Sequence, residues 1–197
     1  MVTRMCNDYR SHVDLDTIRQ DFSEIKIRIR FPEGAPNLQP RDDIRITETA
    51  PIVRAAEEPG VADCIQRRWS WPERGRPVYN FRSENREFTS GRCLIIAGGF
   101  YEFTPHTDPK SRRKHKWLFT KVGEPWFCIA GLWRTTDVGE AFTMLTTAPG
   151  PDVAPYHDRQ IMVLERADWS RWLDPGVSAR AILKPLPAGS LTVEQVA

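Results

Sequence analysis

A chain of 197 residues with 40% hydrophobic and 27% charged residues can build one full core and has the composition of an ordinary soluble globular protein. Its formal charge of +2 is too small to demand a nucleic-acid partner, no apolar run reaches membrane-spanning length, and the polar N-terminus has no signal-peptide core, so a cytoplasmic protein is expected. The four cysteines (Cys6, Cys64, Cys93, Cys128) and four histidines (His12, His106, His115, His157) show no ligand spacing, which speaks against a zinc site, and neither metal nor cofactor is expected.

In chain order, residues 14–22 place Leu15, Ile18 and Phe22 at helical spacing behind Asp14 as an N-cap, which predicts a short helix. Residues 25–31 alternate strictly between apolar and cationic side chains and give the cleanest strand signal in the chain. Residues 32–40 read as loop; strands follow near 44–46, 52–56 and 61–65, with Glu57, Glu58, Pro59 and Gly60 turning between the last two. The run 93–97 is continuously apolar, which predicts a strand buried on both faces. Gly98 and Gly99, which tolerate positive φ, break it before a second strand at residues 100–103. Residues 104–116 read as a polar basic loop, residues 117–121, 126–132 and 141–146 as strands of a meander, 147–156 as irregular, and 160–164 as another strand. Asp168 can cap a helix through Leu173 that Pro175 and Gly176 terminate, while the tail 178–196 carries too mixed a pattern to assign. Many short strands, few helices and no linker point to one α+β domain around a strongly bent, even closed, sheet.

Glu102 stands between large aromatics, where a carboxylate must be paired, hydrogen-bonded or held with a raised pKa unless it faces solvent from a half-buried strand. Two stretches interleave cations with aromatic rings, as a single-stranded nucleic acid requires. Arg67, Arg68, Arg74 and Arg76 surround Trp69 and Trp71, whereas residues 110–116 read as a solvated basic loop. Taken singly, His157 reads as a structural or surface histidine, Arg82 and Arg159 as surface cations, Asn80 as a turn residue, and Trp69 or Trp71 as core.

Five segments occur in a telling order: Met5 and Cys6; Trp69, Ser70, Trp71 and Pro72; Asn80 to Glu84; Arg92 through Glu102; and His157, Asp158 and Arg159. With Ala130, Gly131, Leu132 and Trp133, they resemble the SOS-response-associated peptidase (SRAP) family, whose members cap abasic sites in single-stranded DNA. The resemblance implies a single SRAP-like α+β domain over residues 1–197, with a barrel-like, mostly antiparallel β core and a few peripheral helices. It also implies that Cys6 becomes the first residue and that its amine and thiol both react with the aldehyde of a ring-opened abasic sugar, closing a thiazolidine. An α-amine titrates near about 7.7–8.0 and is partly nucleophilic at neutral pH, whereas an internal cysteine offers an amide nitrogen that cannot form an imine.

By the same resemblance Glu102 is the general acid/base, His157 a proton shuttle and Asn80 a hydrogen-bond partner of the sugar or its phosphate. Trp69 and Trp71 would stack on or wedge the bases, and Arg82 and Arg159 would hold the flanking phosphates. The implied partner is single-stranded DNA containing abasic sites, bound by a monomer in the cytoplasm that joins the nucleoid when on DNA, with no membrane or metal. Residues 1–4 would be absent because translation starts at Met5, or removed by autoproteolysis through the same cysteine, glutamate and histidine. Asn7, Gly98, Phe103 and Gln160 with Ile161 depart from the family pattern, which has glycine, an acidic residue, tryptophan and Met-Pro there. Two other functions compete: a cysteine hydrolase acting in trans, with Cys6 as nucleophile, His157 as base and Asn80 or Glu102 orienting it, and a non-catalytic reader using the Trp69, Trp71 and arginine surface.

Overall fold

The computed structural model describes residues 6–108 and 110–197. The expected extension 1–4 and the alternative start at Met5 lie outside the described residues. In chain order the elements are β1 (Asp8–Ser11), α1 (Leu15–Glu24), β2 (Arg28–Arg30), β3 (Arg41–Arg45), β4 (Thr49–Ala55), β5 (Val61–Trp69), β6 (Trp71–Glu73), β7 (Arg76–Val78) and β8 (Asn80–Arg82). The second half supplies β9 (Arg92–Ala97), β10 (Gly99–Pro105), β11 (Lys114–Lys121), β12 (Phe127–Thr136), β13 (Gly139–Thr147), β14 (Gln160–Ile161), β15 (Val163–Leu164), α2 (Trp169–Leu173), α3 (Ala179–Ile182) and β16 (Leu191–Gln195).

Strands β13, β12, β9, β4 and β5 pair in that order, and β5 returns to pair in parallel with β13, Arg68 opposite Ala141 and Trp69 opposite Phe142, which closes a five-stranded barrel. A second sheet, β16-β11-β10-β1-β3, packs beside it. The chain passes from one sheet to the other at Gly98, whose N–H donates to the Arg10 carbonyl at 2.8 Å. This is the expected α+β fold with a barrel-like, mostly antiparallel core.

The continuous apolar run has a direct cause. Cys93, Ile95 and Ala97 enter one core cluster, while Leu94 and Ile96 enter the other, behind α1 and α2. A strand that separates two cores has no polar face. The short helix forms as its sequence predicts: Asp14 caps it by accepting the Thr17 N–H at 2.8 Å, and Ile18 and Phe22 are buried.

Several local expectations are corrected. Of the alternating run 25–31, Arg28–Arg30 alone is strand. Ile25 and Ile27 donate to the Phe22 carbonyl, and Lys26 turns the chain at φ 62, so the first half is the exit of α1. Gly98 and Gly99 do not adopt positive φ. Gly99 is needed for a close approach instead, because a Cβ there would lie 2.8 Å from Leu118 Cδ1 and 3.0 Å from the Phe119 carbonyl oxygen. The basic segment is shorter than expected, since β10 runs to Pro105 and β11 starts at Lys114. The supposed meander is split, because β11 pairs with β10 and β16 whereas β12 and β13 belong to the barrel. The 160–164 strand divides into β14 on β13 and β15 on β12, and the unassigned tail forms α3 and β16.

Candidate functional site

Four segments meet beneath the edge where the two sheets join. Cys6 precedes β1 and is fully buried. Asn80 opens β8 and holds the start of the chain by donating from Nδ2 to the Cys6 carbonyl at 2.9 Å. Glu102 lies mid-strand in β10 with no exposed surface. His157 lies on the turn ahead of β14, 5% exposed, with Nε2 3.9 Å from Glu102 Oε2. Cys6, Asn80, Glu102 and His157, up to 151 positions apart in the numbering (157 less 6), therefore form one cluster.

Glu102 does not face solvent. Burial drives its pKa well up, and Asp158 adds to the rise, while the Cys6 backbone N–H beside the carboxyl offsets part of it. Burial likewise drives the Cys6 thiol well up, with the Glu102 charge as the next cause. The thiol donates to the Asp8 carbonyl at 3.3 Å, so it is a neutral thiol at neutral pH. His157 Nδ1 lies 3.0 Å from the Arg159 N–H and 3.1 Å from both the Arg159 carbonyl oxygen and Asp158 Oδ1, which fixes the ring with Nε2 turned toward Glu102. At 3.9 Å this pair is too long for a hydrogen bond, and a third group is needed to complete it.

Among the described residues, Asn80 Oδ1, both Glu102 carboxylate oxygens and His157 Nε2 are buried without a hydrogen-bond partner. An unpaired buried polar atom costs about 1–3 kcal/mol, so four around one thiol mark a place shaped for a polar guest. The fold tolerates the cost because the surrounding barrel and Asn80–Cys6 bond hold the groups in place.

The residues expected on DNA are arranged differently. Trp69 is fully buried, edge-on to Tyr9 and Tyr79 with centroids 5.2 and 6.3 Å away, and its indole N–H donates to the Tyr79 carbonyl at 3.0 Å. No face of it is open to a base; it is floor beneath the site. Trp71 is 3% exposed, with the Arg134 guanidinium 4.1 Å from its ring centroid. Arg82 is exposed, and its side chain has no partner among the described residues. Arg159 is committed elsewhere: its guanidinium forks onto both oxygens of Glu84 and reaches Thr146 Oγ1 at 3.1 Å.

Sequence reading assigned no role to Glu84, Tyr156 or Trp117. Glu84 fastens Arg159, whose backbone N–H orients His157. Trp117 lies directly opposite Glu102 across the β10–β11 ladder and packs on Tyr156 with centroids 4.8 Å apart. The spacing of β10 and β11 is a signal that pairs these two residues once a hairpin is assumed. The departure at Gln160 has a structural use, since its buried carbonyl oxygen accepts the Gly150 N–H at 2.7 Å. No group of three or more metal-ligating side chains is found among the described residues, and no helix among them is long and apolar enough to cross a membrane.

Comparison with known proteins places this geometry in context. The sequence pattern of the family described as SOS response associated peptidase (SRAP) matches residues 5–197. The chain is 27% identical over 146 residues to the abasic site processing protein YoqW of Bacillus subtilis, and equally to that of Bacillus phage SPbeta, a match spanning 65% of this chain and 64% of those proteins. Solved structures of a protein from Bordetella bronchiseptica (TM-score 0.72, 19% identity, 98% of this chain and 100% of that one) and of one from Bacteroides thetaiotaomicron (TM-score 0.73, 14% identity, 98% and 92%) share the fold.

Proposed function

The chain belongs to the SOS response associated peptidase (SRAP) family, and from that premise we propose that it caps abasic sites in single-stranded DNA as a covalent reagent, as part of a DNA-damage response. The observation that carries the reading is the position of the Cys6 nitrogen. It lies beside the buried Glu102 carboxyl, on the same residue as a neutral thiol; Asn80 holds the carbonyl of that residue, and His157 lies 3.9 Å from Glu102.

The chemistry follows from those positions. Hydrolysis of the peptide bond ahead of Cys6, whether it releases the extension or an initiator Met5, delivers the α-amine, and Glu102 beside that nitrogen is placed to protonate it as the bond breaks. The amine attacks the sugar aldehyde to give a carbinolamine. Glu102, kept protonated by burial, gives its proton to the departing hydroxyl, and water leaves with formation of the iminium. The Cys6 sulfur then adds to the iminium carbon, its proton passing to the Glu102 carboxylate and restoring the acid, and the five-membered thiazolidine closes with its nitrogen neutral. Both nucleophiles sit on one residue, so closure benefits from an effective molarity on the order of 10⁵ M or more. Asn80 Oδ1 and His157 Nε2 would bind the hydroxyls of the opened sugar, which satisfies atoms that lack partners. Arg82 would hold a flanking phosphate. Arg159 would act through Glu84 and His157 as a positioning residue.

A hydrolase acting in trans needs a thiolate activated by histidine. Here the thiol bonds the Asp8 carbonyl, burial disfavours its ionisation, and His157 addresses Glu102, so the geometry favours the amine route. The test is a denaturing gel of the protein with single-stranded DNA carrying one abasic site, beside Cys6→Ala, with the intact mass of the preparation. A heat-stable shifted band from a chain beginning at Cys6, absent in the variant, is expected. No band from such a chain would overturn the proposal.

A further inference from the structure

One face of the β10–β11 hairpin forms a ladder that leads outward from Glu102. Antiparallel register sets Phe100 opposite Phe119, Glu102 opposite Trp117, and Thr104 opposite His115, all on the same side because side chains alternate along a strand. Phe100 and Phe119 stack at 5.0 Å in the core. Farther out, Tyr156 lies against Trp117 at 4.8 Å, His115 lies 6.3 Å from Trp117, and His106 stacks on His115 at 4.7 Å and 19°. Burial relaxes along the way, for Glu102 is buried whereas Trp117, Tyr156, His115 and His106 are each half-buried.

The ladder is fixed rather than loose. Trp117 Nε1 donates to Thr104 Oγ1 at 2.8 Å, and Gln195 of β16 bonds His115 Nδ1 at 2.9 Å. From Glu102 to His106 the path is about 13 Å at the ordinary rise of a strand. Its outer end carries Lys110, Arg112, Arg113 and Lys114, all exposed and without an ion pair among the described residues. Lys116 points to the opposite face and is taken up by Asp8 and Asp43, at 2.8 and 2.6 Å.

We propose that the half-buried Trp117, Tyr156, His115 and His106 strip and the cations at its tip are the track on which single-stranded DNA flanking the reactive residue stacks. Flat faces in sequence, rigidly held and ending in uncompensated positive charge, fit unstacked bases and their phosphates. The inference rests on the proposed DNA chemistry for its occupant and deepens it by naming the surface beside Glu102.

The test is fluorescence anisotropy of the full chain with a labelled, undamaged short oligothymidylate at two salt concentrations. Wild type is compared with Arg112→Ser/Arg113→Ser/Lys114→Ser and, separately, His115→Ala. The charge variant should bind at least about tenfold more weakly and lose about 2 from the salt slope, at about 0.7 per phosphate for single strands. His115→Ala should weaken binding about fivefold with the slope unchanged, as loss of one stacked base requires. Unchanged affinity and slope in both variants would overturn the track, as would oligouridylate binding tighter than the DNA. Wild-type binding without covalent capture of an abasic strand would sink the reagent and keep the track. Capture by wild type with both variants binding like wild type would do the reverse.

Discussion

Residues 67–76 and residues 106–117 both mix cations with flat rings, and the fold uses them in opposite ways. In the first stretch Trp69 fills the core and Trp71 lies under Arg134. Arg67 is absorbed by Glu33 and Glu140, each at 2.6 Å, and Arg68 reaches the Thr47 carbonyl at 3.2 Å. In the second, the rings stay half-exposed and the cations at the tip are unpaired among the described residues. The lesson is that composition marks a nucleic-acid surface only where open rings accompany unspent charges. Arg74 and Arg76 of the first stretch are also exposed and unpaired among the described residues, but they stand beside buried rings. Arg67 neutralised by two carboxylates carries no net attraction for a phosphate, whereas Arg112 and Arg113 do.

The contrast is broken most forcefully at Trp69. Trp69→Ala should destabilise the protein by about 3–5 kcal/mol in urea denaturation, as removal of a large buried ring does. Trp117→Ala should cost about 1–2 kcal/mol and act chiefly on oligonucleotide affinity. Equal stability losses at the two positions would erase the distinction between floor and track.

Glu102, at the inner end of the track, should show a trade between activity and stability. Glu102→Gln is expected to slow covalent capture by about 10²- to 10⁴-fold, the usual worth of a general acid/base. The same variant should be more heat-stable than wild type. The folded chain holds the Glu102 proton more tightly than the unfolded chain, so stability is fully present below the ordinary carboxylate pKa of about 4.3 and falls as pH rises toward the raised folded value. Glutamine has no proton to lose, so the advantage of the variant should widen with pH above about 4.3, at about 2–4 °C for each kcal/mol. Melting curves for the two proteins that stay parallel across pH would show that Glu102 is not desolvated.

Glu84 sharpens the comparison from the side of β8. Glu84→Gln should slow capture about tenfold by freeing Arg159 and, with it, His157, and should cost about 1–2 kcal/mol, because the pair is partly exposed. The Arg159 hydrogen bond holds the Glu84 carboxyl below its ordinary range, so this contribution is present above about pH 4.3 and is lost in acid. Guanidine or urea titrations at neutral and acidic pH would reveal it, and an unchanged capture rate would remove Glu84 from the site.

The smallest expected effect is at Ser70, between the two buried tryptophans. Ser70 sits at φ 87 with its Oγ buried and unpartnered among the described residues. Ser70→Gly should therefore stabilise by about 0.5–1 kcal/mol, relief of left-handed strain less the entropy of glycine. A lower melting temperature would mean that the hydroxyl has a partner in solution.

The sequence by itself determined much of the local structure and singled out the residues that the fold gathers around Cys6. Asp14 and the spacing of Ile18 and Phe22 specify α1, and the unbroken 93–97 run specifies a strand between two cores, because capping and side-chain period are local properties. The ordered motifs around Cys6, Asn80, Glu102 and His157 named together four residues that the fold clusters. Only the tertiary structure decided which faces are open. The 25–31 alternation reads as strand because apolar period does not distinguish an edge strand from a helix exit that covers the core. The closing pair β5–β13 joins residues more than 70 apart, 68 with 141, and it is this closure that drives Trp69 inward. Likewise Arg159 is spent by a Glu84 that lies 75 residues away. Charge and aromaticity are written residue by residue, but whether a cation is free or a ring is exposed depends on which distant segment the fold lays against it.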